Sequence, residues 1–134
     1  MHGFIKLSSP ETKDFWEIAV LFEDEHLLAL DKPSRLLTSP DRYDPRRPNL
    51  MRLIQDAIKR GIPWVRERKI TYLANAHRLD FETSGVILLA KNKPTLVALA
   101  NQFGNEKPVK TYLGLAHGTP KRETFDVERK LGMH

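Results

Sequence analysis

His77-Arg78-Leu79-Asp80-Phe81-Glu82-Thr83-Ser84-Gly85 places a carboxylate, a guanidinium, an imidazole, two hydroxyls and a glycine in one short stretch between two apolar segments. A carboxylate with a cation two positions before it is favoured in the ionised form, which a nucleophile or a general base requires. Loops held by a strand scaffold are common places for such groups. The same residue types also make caps and surface ion pairs, so the chemistry of the stretch leaves a catalytic and a plain structural role both open. A glycosidase would need a second carboxylate across the substrate. Glu82 is the nearest candidate, and along an extended chain it faces away from Asp80.

Other chemistries are excluded by inspection. Leu79 interrupts the H-R-D order of a protein-kinase catalytic loop, and neither a glycine-rich phosphate loop nor D-F-G occurs. G-x-x-x-x-G-K-S/T, G-x-G-x-x-G and H-E-x-x-H are also missing, so no cofactor and no metal is expected. The five histidines, His2, His26, His77, His117 and His134, have no metal-ligand spacing. With no cysteine there is no disulfide, thiolate nucleophile or zinc ribbon, which suits a reducing compartment.

The elements that must position Asp80 can be sketched from periodicity. Glu17 to Phe22 and Leu27 to Asp31 read as a hairpin closed by Glu23-Asp24-Glu25-His26. Four of the nine prolines fall between Pro33 and Pro48, predicting an extended loop. Leu50, Leu53, Ile54, Ala57 and Ile58 then follow helical spacing, with Asn49 as cap and Gly61 as stop. Ile70 to Ala76 reads as extended, and Val86 to Ala90 as a strand buried on both faces. A second helix fits Pro94 to Phe103, with Leu96, Leu99, Ala100 and Phe103 on one face and Gly104 as its stop. Val109 to Ala116 alternates as a strand should, and Thr124 to Val127 offers another. The sum is an α+β domain with a mixed, mainly antiparallel sheet and flanking helices.

The 134 residues fit one domain, and 40% apolar against 29% charged content argues against disorder. The apolar runs are far shorter than the roughly 18 residues of a membrane helix, and the opening residues lack the pattern of a secretory signal. A soluble, cytoplasmic protein is expected. The net charge of +5 is unevenly spread: residues 1–40 carry −3, residues 41–69 carry +5 and residues 70–134 carry +3. Clustered basic side chains such as Arg46, Arg47 and Arg52 are the footprint of phosphate binding, or else of a solvated surface. The acidic N-terminal portion is expected to face away from any such partner.

H-R-L-D-x-x-T-S-G followed by an apolar strand and Ala90-Lys91 resembles the signature of the RluA-type pseudouridine synthases, which isomerise uridines in structured RNA. Phe22-Glu23-Asp24-Glu25, Leu28 to Leu30 and Asp31-Lys32-Pro33 are similar to the first motif of that family. Phe103 and Lys110-Thr111-Tyr112-Leu113, with Gly118 beyond, are similar to its K-T-Y-L segment. The ordered set covers residues 22–118. The resemblance implies that Asp80 is the catalytic aspartate, that Arg78 helps hold the target nucleotide out of the stack, and that Tyr112 packs against the uracil. Thr83, Ser84 and Gly85 would shape the loop, and Lys32 with Pro33 would support the fold beside the site. The implied partner is ribosomal or transfer RNA, with Arg46, Arg47 and Arg52 available to grip its backbone. No cofactor is needed, because substrate and product are isomers.

Two departures from the pattern matter. The first motif of the family continues as K-P-A-G, whereas here Ser34 and Arg35 follow Pro33. The later G-R-T-H-Q-I-R-type motif, whose basic residue pairs with the catalytic aspartate, has no counterpart before His134. Residues 1–134 are therefore expected to form a pseudouridine synthase catalytic domain incomplete at its C-terminus. The alternative is a non-catalytic RNA-binding remnant.

Overall fold

In the computed structural model, which describes residues 3–132, five strands form one antiparallel sheet. Met1, His2, Met133 and His134, two of them among the histidines considered above, lie outside the described residues. The strands are β1 (Phe4–Ser8), β2 (Phe15–Glu23), β3 (Leu27–Lys32), β4 (Ala74–Asn75) and β5 (Gly85–Ala90), in the order β1-β2-β3-β5-β4. The helices are α1 (Leu50–Arg60), α2 (Pro63–Glu67) and α3 (Lys93–Gly104). The α+β reading with a mainly antiparallel sheet is borne out.

Alternation along the strands decides which face is buried. Ile5, Leu7, Ile18, Val20, Leu28, Leu30, Ile87 and Leu89 are almost wholly removed from solvent, on the face that clusters with Leu50, Leu53, Ile54 and Ala57 of α1. Each such aliphatic side chain contributes on the order of 1.5–3 kcal/mol by leaving water. The ends of α1 match the sequence. Asn49 accepts the Arg52 N–H at 2.9 Å through Oδ1, and Gly61 turns left-handed at φ 58° to end the helix. The short helix α2 was not apparent in the sequence. It begins with Pro63 and buries Trp64, whose Nε1 donates to the Lys6 carbonyl at 3.0 Å and so ties α2 to β1.

Several expectations are corrected. Strand β1 has no sequence counterpart above, although it fills one edge of the sheet. Of Ile70 to Ala76, only Ala74 and Asn75 pair, with Ala90 and Leu89. Strand β5 is not buried on both faces, since Val86 is 55% exposed. Gly104 is the last residue of α3 rather than its stop, and Asn105 closes the helix by donating to Asn101. Of its apolar face, Leu96, Leu99 and Phe103 are half-buried while Ala100 is exposed. Val109 to Ala116 and Thr124 to Val127 form no strand: alternation becomes a strand only where a neighbouring backbone takes up the N–H and C=O groups. Among the described residues none does so, and Val109, Leu113 and Leu115 stay almost fully exposed.

Candidate functional site

Asp80 sits where two loops meet at the end of β3 and β5, whose register sets Lys32 opposite Gly85. Its own loop is a turn, with the Thr83 N–H donating to the Asp80 carbonyl at 3.1 Å. This corrects the extended geometry assumed for Asp80 and Glu82. The buried Thr38 holds the preceding residue at both backbone groups: its hydroxyl donates to the Leu79 carbonyl at 2.8 Å and accepts the Leu79 N–H at 3.1 Å. On the other side, the Arg35 N–H donates to the Phe81 carbonyl at 2.7 Å and the Ser34 hydroxyl donates to the Glu82 carbonyl at 2.8 Å. The exposed Asp80 carboxylate therefore rides on backbone fixed both before and after it.

Lys32 supplies the base of this arrangement. It is fully buried, and its ammonium donates to the carbonyls of Pro33 at 2.8 Å and Leu36 at 2.6 Å, folding the turn that carries Ser34 and Arg35. Burial pushes the Lys32 pKa below its ordinary value, and the nearby Asp80 carboxylate acts in the opposite sense. A buried cation is thus tied into the turn that separates it from the exposed carboxylate.

Arg78 and Tyr112 are brought to a common cleft of about 340 Å³, floored by Val86 and Leu88 and walled by His77 and Phe103. His77 stacks on Phe103 with ring centroids 4.4 Å apart, and its Nε2 accepts the Leu88 N–H at 2.9 Å, capping part of the open edge of β5. Burial, followed by the proximity of Lys110, lowers the His77 pKa, consistent with an imidazole that must stay neutral at Nε2 to accept that bond. Tyr112 is 61% exposed and lines the same cleft. A wider cleft beside α3, lined by His26, Leu27 and Leu99 among others, contains none of the predicted site residues.

The basic stretch is divided by the fold. Arg47 pairs with Asp41 at 2.5 Å and also lies over the Phe81 ring, 4.9 Å from its centroid, which brings it to the Asp80 loop. Arg46 instead faces Asp44, and Arg52 bonds to the Pro45 carbonyl and to Glu11. Arg68 pairs with Glu23, which also takes Lys91 at 3.1 Å. The acidic N-terminal portion thus does not face away from the basic segment but neutralises part of it. Thr83 lies in the turn itself. Sequence reasoning missed Thr38, Arg35 and Phe81. The prolines around Thr38 marked only a loop, and nothing local shows that a hydroxyl in it will be buried against a backbone some forty residues away. Among the described residues, no group of three or more His, Asp or Glu side chains could hold a metal ion.

A family model described as RNA pseudouridylate synthase matches residues 26–132. The dual-specificity RNA pseudouridine synthase RluA of Salmonella typhi is 33% identical over 103 residues, 77% of this chain and 42% of that protein. The same enzyme of Escherichia coli K12 is 32% identical over 103 residues, with the same coverage. The ribosomal large subunit pseudouridine synthase C of Rickettsia prowazekii is 32% identical over 128 residues, 96% of this chain and 37% of that protein. A solved structure, human RNA Pseudouridylate Synthase Domain Containing 4, aligns with a TM-score of 0.48 and 25% identity, over 66% of this chain and 30% of that one. The chain spans about two-fifths of the length of the curated relatives it matches.

Proposed function

The chain belongs to the RNA pseudouridylate synthase family, of the RluA type, and from that premise we propose that it carries the aspartate-bearing part of a catalytic domain that isomerises uridine to pseudouridine in structured RNA. Asp80 acts on the extruded uridine while its glycosidic bond to nitrogen breaks and the base is rejoined to the ribose through carbon. Nothing is oxidised, and no group is donated from outside. Arg78, exposed in the lining of the cleft, holds the nucleotide out of the stack, and Tyr112 offers its exposed ring to the base, as an aromatic platform does for any base. Thr83 shapes the turn, and Lys32 fixes the adjoining turn from beneath. Unstacking the nucleotide costs a few kcal/mol, which contacts elsewhere on the RNA must offset. Arg47, Arg46 and Arg52 are proposed to provide them. Ribosomal or transfer RNA in the cytoplasm is the proposed setting, in keeping with the ribosomal substrate in the name of the Rickettsia relative.

The observation that supports this reading best is the rigid mounting of Asp80, with hydrogen bonds from Thr38, Ser34 and Arg35 fixing the backbone around it. Such fixing is what a reacting carboxylate needs and a simple binding surface does not. The test is pseudouridine formation, followed by nucleoside chromatography, when a complete form of the domain that carries this chain is incubated with ribosomal and transfer RNA. Asp80→Asn is expected to lower formation by at least roughly a hundredfold while RNA binding persists. Full turnover by Asp80→Asn would remove Asp80 from the chemistry. RNA binding without turnover by the complete form would favour the non-catalytic reading.

A further inference from the structure

Beside Asp80, one aromatic ring gathers two guanidiniums. Arg35 lies 5.8 Å and Arg47 4.9 Å from the centroid of Phe81, the residue next to Asp80 in the chain. Arg35 adopts φ 64°, the left-handed region that favours glycine, although it carries a full side chain. The Arg35 N–H to Phe81 carbonyl bond pins that conformation against the Asp80 turn. A glycine would satisfy this backbone geometry without strain, so the side chain has to be accounted for by something other than the fold. Arg35 is exposed and has no ion pair among the described residues.

Arg47 is positioned differently. Asp41, whose carboxylate accepts the N–H groups of Tyr43 and Asp44 and is held below the ordinary carboxylate pKa by those bonds and by Arg47, takes one arm of the guanidinium at 2.5 Å. The other donors of the fork stay available. Asp41 neutralises one of the two guanidiniums, so one positive charge is left over beside Phe81. Two planar forks held 5.8 Å and 4.9 Å from one ring centroid offer the donor pattern that suits a tetrahedral oxyanion, which accepts several N–H bonds at once.

We propose that Arg35 and Arg47, gathered on Phe81, form a phosphate clamp that grips the RNA backbone next to the nucleotide presented to Asp80. This rests on the RNA reading above and adds to it a site of defined chemistry: a phosphodiester bound about one residue from the carboxylate. Phe81 serves as the spacer that keeps both cations off Asp80 while holding them beside it.

The experiment measures binding of the full chain to a twelve-residue oligouridylate by fluorescence anisotropy over a range of salt, for the unaltered chain, Arg35→Gly, Arg47→Gln and, as a charge control, Lys6→Gln on β1. Arg35→Gly and Arg47→Gln are each expected to bind roughly threefold to tenfold more weakly near physiological salt. Each should also flatten the slope of log affinity against log salt by about 0.7 for the lost contact. Lys6→Gln should leave the slope unchanged. Arg35→Gly should at the same time raise the thermal midpoint by relieving the positive φ, and greater stability with weaker RNA binding is a pairing that a merely structural Arg35 would not give. Should Arg47→Gln fail to fold, Arg35→Gly alone decides. If the unaltered chain binds and both variants bind equally well with the same slope, the clamp is wrong and the RNA reading stands. If the unaltered chain does not bind, both fall together.

Discussion

The two faces of the sheet are made by alternate residues of the same strands, yet they differ sharply. On the α1 face, Ile87 and Leu30 are fully buried; on the α3 face, Val86 is 55% exposed, and Phe4, Leu21 and Phe22 are also open. No residue of α3 is buried, whereas α1 buries five. The difference shows where the fold is anchored. Lys32 lies on the α1 side of β3, in line with Leu28 and Leu30, so the turn it organises is attached to the well-packed half of the molecule. The cleft holding Arg78 and Tyr112 belongs to the lightly covered half. A backbone-fixed carboxylate and a lightly covered cleft are the two parts that the proposed reaction would use, one to act and one to receive the base.

The two faces meet most closely on β5, where neighbouring residues serve opposite sides of the sheet. Ile87→Ala is expected to cost about 2–5 kcal/mol in denaturant unfolding, and Val86→Ala no more than about 0.5 kcal/mol. Similar losses for the two would mean that the α3 face is as well packed as the other. Lys32→Met comes next. It leaves the Pro33 and Leu36 carbonyls without their donor, and a loss of about 1–3 kcal/mol is expected because those buried acceptors go unpaired. A stability equal to or above the unaltered chain would show that the buried charge costs more than its two bonds return.

The smallest effect concerns pH. The His77 pKa is lowered in the folded state, so between that lowered value and the ordinary 6.5 the unfolded chain binds more protons than the folded one. Stability contributed by neutral His77 is therefore complete above pH 6.5 and declines as the pH falls through this window, levelling once the folded imidazole protonates and releases the Leu88 N–H. Denaturant midpoints measured from pH 7.5 downward should show the decline, and His77→Gln should flatten it. A His77 titration midpoint at or above 6.5 by NMR would contradict the capping of β5 by a neutral ring.

The parts of the fold legible beforehand are those governed by local rules. Helix α1 was readable from its 3.6-residue spacing, from Asn49 and from Gly61, each of which acts within a turn of the chain. Strands β2 and β3 were readable from short apolar runs around Glu23 to His26, and the Asp24 carboxylate closes that turn by accepting the N–H groups of His26 and Leu27. Strand β1 was hidden because Phe4–Ser8 alternates over too few residues to stand out, and its pairing with β2 supplies the missing evidence. Val109 to Ala116 failed in the opposite way: the alternation is present, but among the described residues a partner strand is not, and pairing is a property of two segments.

The sequence by itself determined the family and the identity of the proposed reactive carboxylate, because ordered motifs at fixed spacing are carried by covalent order alone. It also determined the charge total and the absence of thiol chemistry, which depend only on composition. The tertiary structure decided how Asp80 is held, since Thr38, Ser34 and Arg35 reach its loop across some forty residues or more of chain. It likewise divided the basic residues, placing Arg47 beside Phe81 and turning Arg46 and Arg52 toward carboxylates elsewhere. The physical reason is the same in both cases: hydrogen bonds and ion pairs act over a few ångströms in space, and only the folded path of the chain says which residues come that close.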